Sequence, residues 1–238
     1  MRSLLACATA LTICALAAPA TAATGTVVYG YAWADGTSTL RVTPVTATAH
    51  GKRYRLERLP GAKELKLDYS AADFRRVTAA CDLKETEGKV ALDAKGLGKT
   101  RCTPKDLAFV LSLGPAPVRI AYEGGKAVMV NEFLPDGSST RSATGTVKRV
   151  DDHTVQFGGL RLGYTWMLGF NRVTARCADP WLHGKPVHAD KHGLGTKACT
   201  DKDFTRALKP LANPVRVRVD YDPLSNQLLN VWEVFGDA

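Results

Sequence analysis

The sequence predicts an α+β fold made of two tandem units, each an antiparallel sheet with one or two short helices on one side and one disulfide. Three observations predict it. The chain repeats itself at a nearly constant offset, its clearest segments alternate apolar and polar residues, and each copy carries one helix-start signal between strands.

The repeat is direct. LKLDYS (65–70) returns as LRLGYT (160–165), and FRRVTAAC (74–81) returns as FNRVTARC (170–177). GLGKTRCTPKDL (96–107) returns as GLGTKACTDKDF (193–204), and PVRIAY (117–122) as PVRVRV (214–219). The offset stays between 95 and 97 residues, which marks a duplication. Each copy is long enough to bury a core of its own, unlike a solenoid repeat. The stretch PDGSSTRSATG (135–145) is rich in Gly, Ser, Thr and Pro and is expected to be a linker. The expected division is a leader at 1–22, a first unit at 23–134, the linker at 135–145 and a second unit at 146–238. Residues 23 to about 60 have no full counterpart and are expected to add strands to the first unit.

The leader is read from its charge and small residues. Arg2 is the only charge before an apolar run from Leu4 to about Ala18, and Ala20-Thr21-Ala22 offers the small residues a signal peptidase reads. Cleavage is expected after Ala22, giving a secreted chain of 216 of the 238 residues. No later segment is apolar enough to span a bilayer, so no membrane insertion is expected. Lipid attachment at Cys14 suits the sequence badly, because bulky Ile13 precedes it. Losing Arg2 with the leader lowers the formal charge from +9 to +8. That excess favours solubility and attracts anionic polymers without naming one.

Within a unit, RVTARC alternates. Val173, Ala175 and Cys177 are expected on one face, and Arg172, Thr174 and Arg176 on the other; Val77, Ala79 and Cys81 match them in copy one. PVRVRVDY turns Val215, Val217, Val219 and Tyr221 inward and is expected to pair with 228–235 across Asp222–Asn226. In copy one the hairpin is 118–123 with 127–133, turning through Gly124-Gly125. The helices are announced by Thr103-Pro104-Lys105-Asp106 and Thr200-Asp201-Lys202-Asp203: a threonine cap with an acid in the first turn, and Pro at the first helical position in copy one. Leu107, Val110 and Leu111, matched by Phe204, Ala207 and Leu208, form their apolar faces, and Pro115 and Pro210 stop them.

Removal of Cys7 and Cys14 leaves Cys81, Cys102, Cys177 and Cys199, an even number in an exported chain. Four cysteines allow three pairings. Duplication favours Cys81 with Cys102 and Cys177 with Cys199, each closing a loop of about twenty residues, a constraint of roughly 3 kcal/mol in the chain-entropy model.

The order of these pieces resembles the bacterial secreted subtilisin-inhibitor-like family. The resemblance rests on RVTARC, ADPWLHGKPVHADKHGLGTKAC, TDKDFTRAL, PVRVRVDY and NVWEVF in copy two, and on RVTAAC, RCTPKDL, PVRIAY and NEF in copy one. It implies an antiparallel sheet with helices on one side and, as function, inhibition of a subtilisin-type serine protease by a rigid substrate-like loop. By position it makes Pro210, Leu211 and Ala212 the reactive-loop candidates; Gly114-Pro115-Ala116-Pro117 stands there in copy one. Each copy has one bridge, without the second that braces the family's reactive loop.

The rival chemistries are a wall- or anionic-polymer binding module and a metal-dependent extracellular enzyme. The second rests on His183, His188 and His192 with Asp190 between them, a possible metal set that lacks the i, i+4 spacing of helical ligands and has no histidine counterpart in copy one. GLGKT (96–100) resembles the end of a phosphate-binding loop, but Asp93 stands where its first glycine belongs. No Gly-x-Ser-x-Gly and no free thiol is available to the mature chain, Asp151-Asp152 reads as a hairpin turn, and Trp166, Trp181 and Trp232 can line a binding surface, although Trp232, in a strand, is expected in the core. A non-enzymatic protein without cofactor is therefore expected.

Overall fold

A computed structural model of the chain describes residues 25–236 apart from 87 and 138. The expected leader, with Cys7 and Cys14, lies outside them. The first unit comprises β1 (Thr26–Ala34), β2 (Thr39–His50), β3 (Arg53–Arg58), β4 (Leu65–Asp68), β5 (Asp73–Arg76), β6 (Thr100–Cys102), α1 (Pro104–Leu113), β7 (Ala116–Glu123) and β8 (Lys126–Glu132). The second comprises β9 (Arg141–Asp151), β10 (Thr154–Phe157), β11 (Leu160–Gly163), β12 (Gly169–Arg172), β13 (Lys197–Cys199), α2 (Asp201–Leu208), β14 (Val215–Asp222) and β15 (Gln227–Glu233). Among the described residues no helix is long and apolar enough to cross a membrane.

The two sheets share one plan. Their strand orders are β3-β2-β1-β7-β8-β5-β6 and β11-β10-β9-β14-β15-β12-β13. β4 pairs with both β2 and β8, and β11 with both β10 and β15, so five strands of each sheet close on themselves. The inward positions follow the alternation: Val217, Val219 and Val231 are fully buried in one unit, Val118, Ile120 and Val130 in the other. Each helix lays its apolar side on this inner face, Leu107, Val110 and Leu111 in α1 and Phe204, Ala207 and Leu208 in α2. Both helices begin in a capping box, with Thr103 and Asp106, or Thr200 and Asp203, exchanging side-chain and backbone hydrogen bonds. The disulfides are Cys81–Cys102 and Cys177–Cys199.

The fold corrects the expectation in five places. It is mostly β, since the helices span only ten and eight residues. The sheets are mixed, because β5 runs parallel to β8 and β12 parallel to β15. The Val-Thr segments are not strands: β5 ends at Arg76 and β12 at Arg172, and the chain then turns so that Arg172, Val173 and Thr174 are all buried while Ala175 is exposed. The linker is shorter than 135–145, because Arg141–Gly145 open strand β9, and Asp136 donates its backbone N–H to Tyr54. Gly145 is a packing residue there, since a Cβ would stand 2.8 Å from the Phe157 ring.

The extra N-terminal strands reduce to one. β1 and β2 occupy the places of β9 and β10, and only β3 has no partner in the second unit. β2 is long enough to pair with β4 through Thr39–Val42 and with β3 through Val45–His50. The β2–β3 arm thus covers the outer face of the first sheet, where Val45, Tyr54, Leu56, Leu97 and Phe133 form a separate buried cluster with Tyr29 and Tyr31 against it.

The units dock through the tip of the β14–β15 hairpin. Trp33 Nε1 donates to the Ser225 carbonyl at 2.7 Å, and Leu224 packs on the β2–β3 cluster. Burial, then the Asp222 carboxylate, pushes the Tyr31 hydroxyl up to about 12. Glu64 reaches Arg41 at 3.0 Å and, across the boundary, Arg161 at 3.7 Å. The Trp33 ring explains a difference between the copies. A Cβ on Gly163 would lie 2.8 Å from that ring, and glycine stands there where copy one has Asp68.

Candidate functional site

Each disulfide loop hangs on one buried arginine. Arg172, fully buried, pairs with the equally buried Glu233 at 2.6 Å. Its guanidinium donates to the carbonyls of Cys177, Asp179 and Pro180, while Glu233 accepts from the backbone N–H groups of Val173 and Leu182. In the first unit Arg76 donates to the carbonyls of Cys81 and Leu83 and lies 3.4 Å from Glu132, which accepts from Val77 N–H. Burial holds the Glu132 carboxyl above the usual carboxylate range, outweighing the pull of Arg76. These pairs fix the loops by satisfying carbonyls that a turn leaves without partners.

The reactive-loop candidates sit in a tight turn after α2. The Leu211 N–H donates to the Leu208 carbonyl, and its side chain is half-buried against the core, while Ala212 is exposed and Pro210 lies just past the helix end. In the first unit the matching segment faces the other unit: a Cβ on Gly114 would meet Thr165 at 3.6 Å, and Gly114 and Pro115 share a hollow with Met167 and Gln227.

The histidines serve separate backbone turns. His183 N–H donates to Pro180, His188 N–H to Val173, and His192 N–H to the Asp190 carboxylate. Among the described residues, the sets of three ligating side chains with donor atoms within 4.8 Å of one another are each cystine with Asp106 or Asp203. Their sulfurs are bonded to each other, so neither set offers a thiolate. Trp181 stacks on Phe170 and belongs to the core, whereas Trp166 is 65% exposed. The Asp151-Asp152 turn connects β9 to β10 as expected.

The surface that sequence reasoning missed is the outer face of the second sheet, the face away from α2. Cross-strand register places Arg216 beside Thr146 and Arg218 beside Thr144 on one side, with Trp232 beside Arg218 on the other. Lys148, two residues beyond Thr146, shares the face. Thr144, Thr146, Lys148, Arg216 and Arg218 are exposed, and Trp232 is half-buried. Asp220, next along β14, accepts from Ser142 and Asn230. A depression of ≈ 320 Å³ opens at Thr144, His192, Leu194, Arg218 and Val234. In the first sheet the positions matching Thr144, Thr146, Lys148, Arg216 and Arg218 by register hold Tyr29, Tyr31, Trp33, Pro117 and Arg119, and the β2–β3 arm packs over the tyrosines. The signal was present in the alternating arginines of PVRVRV, but joining them to Lys148 requires knowing that β9 lies beside β14.

Compared with known protein families, with curated proteins and with solved structures, the chain matches none.

Proposed function

We propose that this chain is an exported, non-enzymatic binding protein that holds an anionic polymer on the outer face of its second sheet. The observation that carries the proposal is the exposure of Lys148, Arg216 and Arg218 around half-buried Trp232, on a face that no helix or arm covers among the described residues. Arg216 and Arg218 stand about 7 Å apart along one strand. A linear polyanion lying along it meets successive positive charges, and the indole supplies apolar area to a passing backbone.

Inhibition of a subtilisin-type protease, which the family resemblance implies, has less behind it. A substrate-like loop needs an exposed, extended side chain at its cleavage position, and Leu211 is turned toward the core. Titration of a subtilisin-type protease with the purified chain is expected to show no stoichiometric inhibition; tight inhibition abolished by Leu211→Gly would restore that function. For the polymer, the test is affinity for long-chain polyphosphate at low salt. Lys148→Gln with Arg218→Gln is expected to weaken binding about tenfold. Undiminished binding by that variant, or none by the wild type, would refute the proposal.

A further inference from the structure

The docked units enclose a second site, away from the basic face. We propose that the cleft between them binds a neutral oligosaccharide. The cleft measures ≈ 590 Å³, within the range of about 300–1,000 Å³ usual for small-molecule sites. Trp33, Asp35 and Arg41 line it from the first unit; Asp151, Arg161, Trp166 and Asp201 line it from the second.

Two features lack an explanation in folding alone. Asp201 is only 8% exposed, and no hydrogen bond or ion pair to its carboxylate is found among the described residues. It stands at the first position of α2, where the helix dipole offsets part of the cost of a buried charge but supplies no bonding partner. Trp166 leaves 65% of its surface in solvent at the cleft, on the turn between β11 and β12, and such an indole loses free energy to water until something flat covers it. The cleft therefore offers an unused acceptor and a bare aromatic face.

The charges decide the ligand class. Asp35, Asp151 and Asp201 line the cleft together with Arg41, Arg161 and Lys202, three acids against three bases, so no ion of either sign is favoured. A neutral polyol fits what is left. Its hydroxyls donate to Asp201, and the C–H face of a sugar ring covers Trp166.

The test is titration of the full mature chain with short neutral oligosaccharides of glucose, N-acetylglucosamine, galactose and mannose, read by tryptophan fluorescence and calorimetry. At least one is expected to bind, with little dependence on salt. Trp166→Ala and Asp201→Asn are each expected to weaken it about tenfold. Lys148→Gln with Arg218→Gln is expected to leave it unchanged. Trp166 is exposed, so its replacement keeps the fold and the test valid if Asp201→Asn proves unstable. No response to any of these sugars, binding that survives both substitutions, or binding lost with rising salt would overturn the inference.

Discussion

Arg172 and Glu233 lie 61 residues apart in sequence and are both fully buried. Removing one partner leaves the other charge buried and the loop carbonyls unsatisfied. Arg172→Leu is expected to cost about 3–5 kcal/mol in denaturant unfolding, and adding Glu233→Leu is expected to recover part of that loss. A single-variant cost below about 1 kcal/mol would show that the loop is held elsewhere. The alternation in RVTARC put Arg172 on the solvent face because an arginine in a period-two pattern is normally outside. Only the distant glutamate makes its burial tolerable, and no local pattern reveals it. Asp106 gives a residue-scale pH effect. Its side-chain hydrogen bond from Thr103, and then the backbone bond from the same residue, hold its carboxyl below the ordinary value of 3.8. A lowered folded-state pKa contributes stability above 3.8 that is lost as pH falls through the folded value. Asp106→Asn is therefore expected to flatten part of the acid-side loss of stability below pH 3.8, read as denaturation midpoints across that range.

At the scale of elements, what was legible was local. The capping boxes announce both helices because Thr and Asp three residues apart complete the motif by themselves. Gly124 and Gly125, both at positive φ, mark the first hairpin turn for the same reason. The start of strand β9 has the composition of a linker because Ser142 and Thr144 lie on an exposed face; the buried Val147 and the Phe157 ring over Gly145 make it a strand. The mixed sheets were also hidden, since β5 and β12 reach their parallel neighbours only through long crossovers. The basic face had the same fate: its arginines were read as outward, but their company depends on strand order.

At the scale of the molecule, duplication produced two copies with different duties. The first spends its outer face on the β2–β3 arm and on the second unit's hairpin; among the described residues no helix or arm covers that face of the second. Gly163 marks the specialisation, since it gives way to the Trp33 ring. Gly163→Asp, which restores the residue of the first copy, is expected to separate the units. Calorimetry should then resolve two transitions in place of one, and small-angle scattering should show a longer particle. A single unchanged transition would mean that the docking tolerates the clash.

The polymer-binding face is tested most directly by the salt dependence of polyphosphate affinity in three chains: the wild type, Lys148→Gln with Arg218→Gln, and Arg55→Gln with Arg58→Gln. The last pair removes the same charge from exposed positions on β3. The expected result is a log–log slope that shrinks by about 0.7–0.9 for each contact removed from the β9–β14 face, and hardly at all for the β3 variant. Equal losses in the two variants, or an unchanged slope in both, would contradict a binding site on the second sheet.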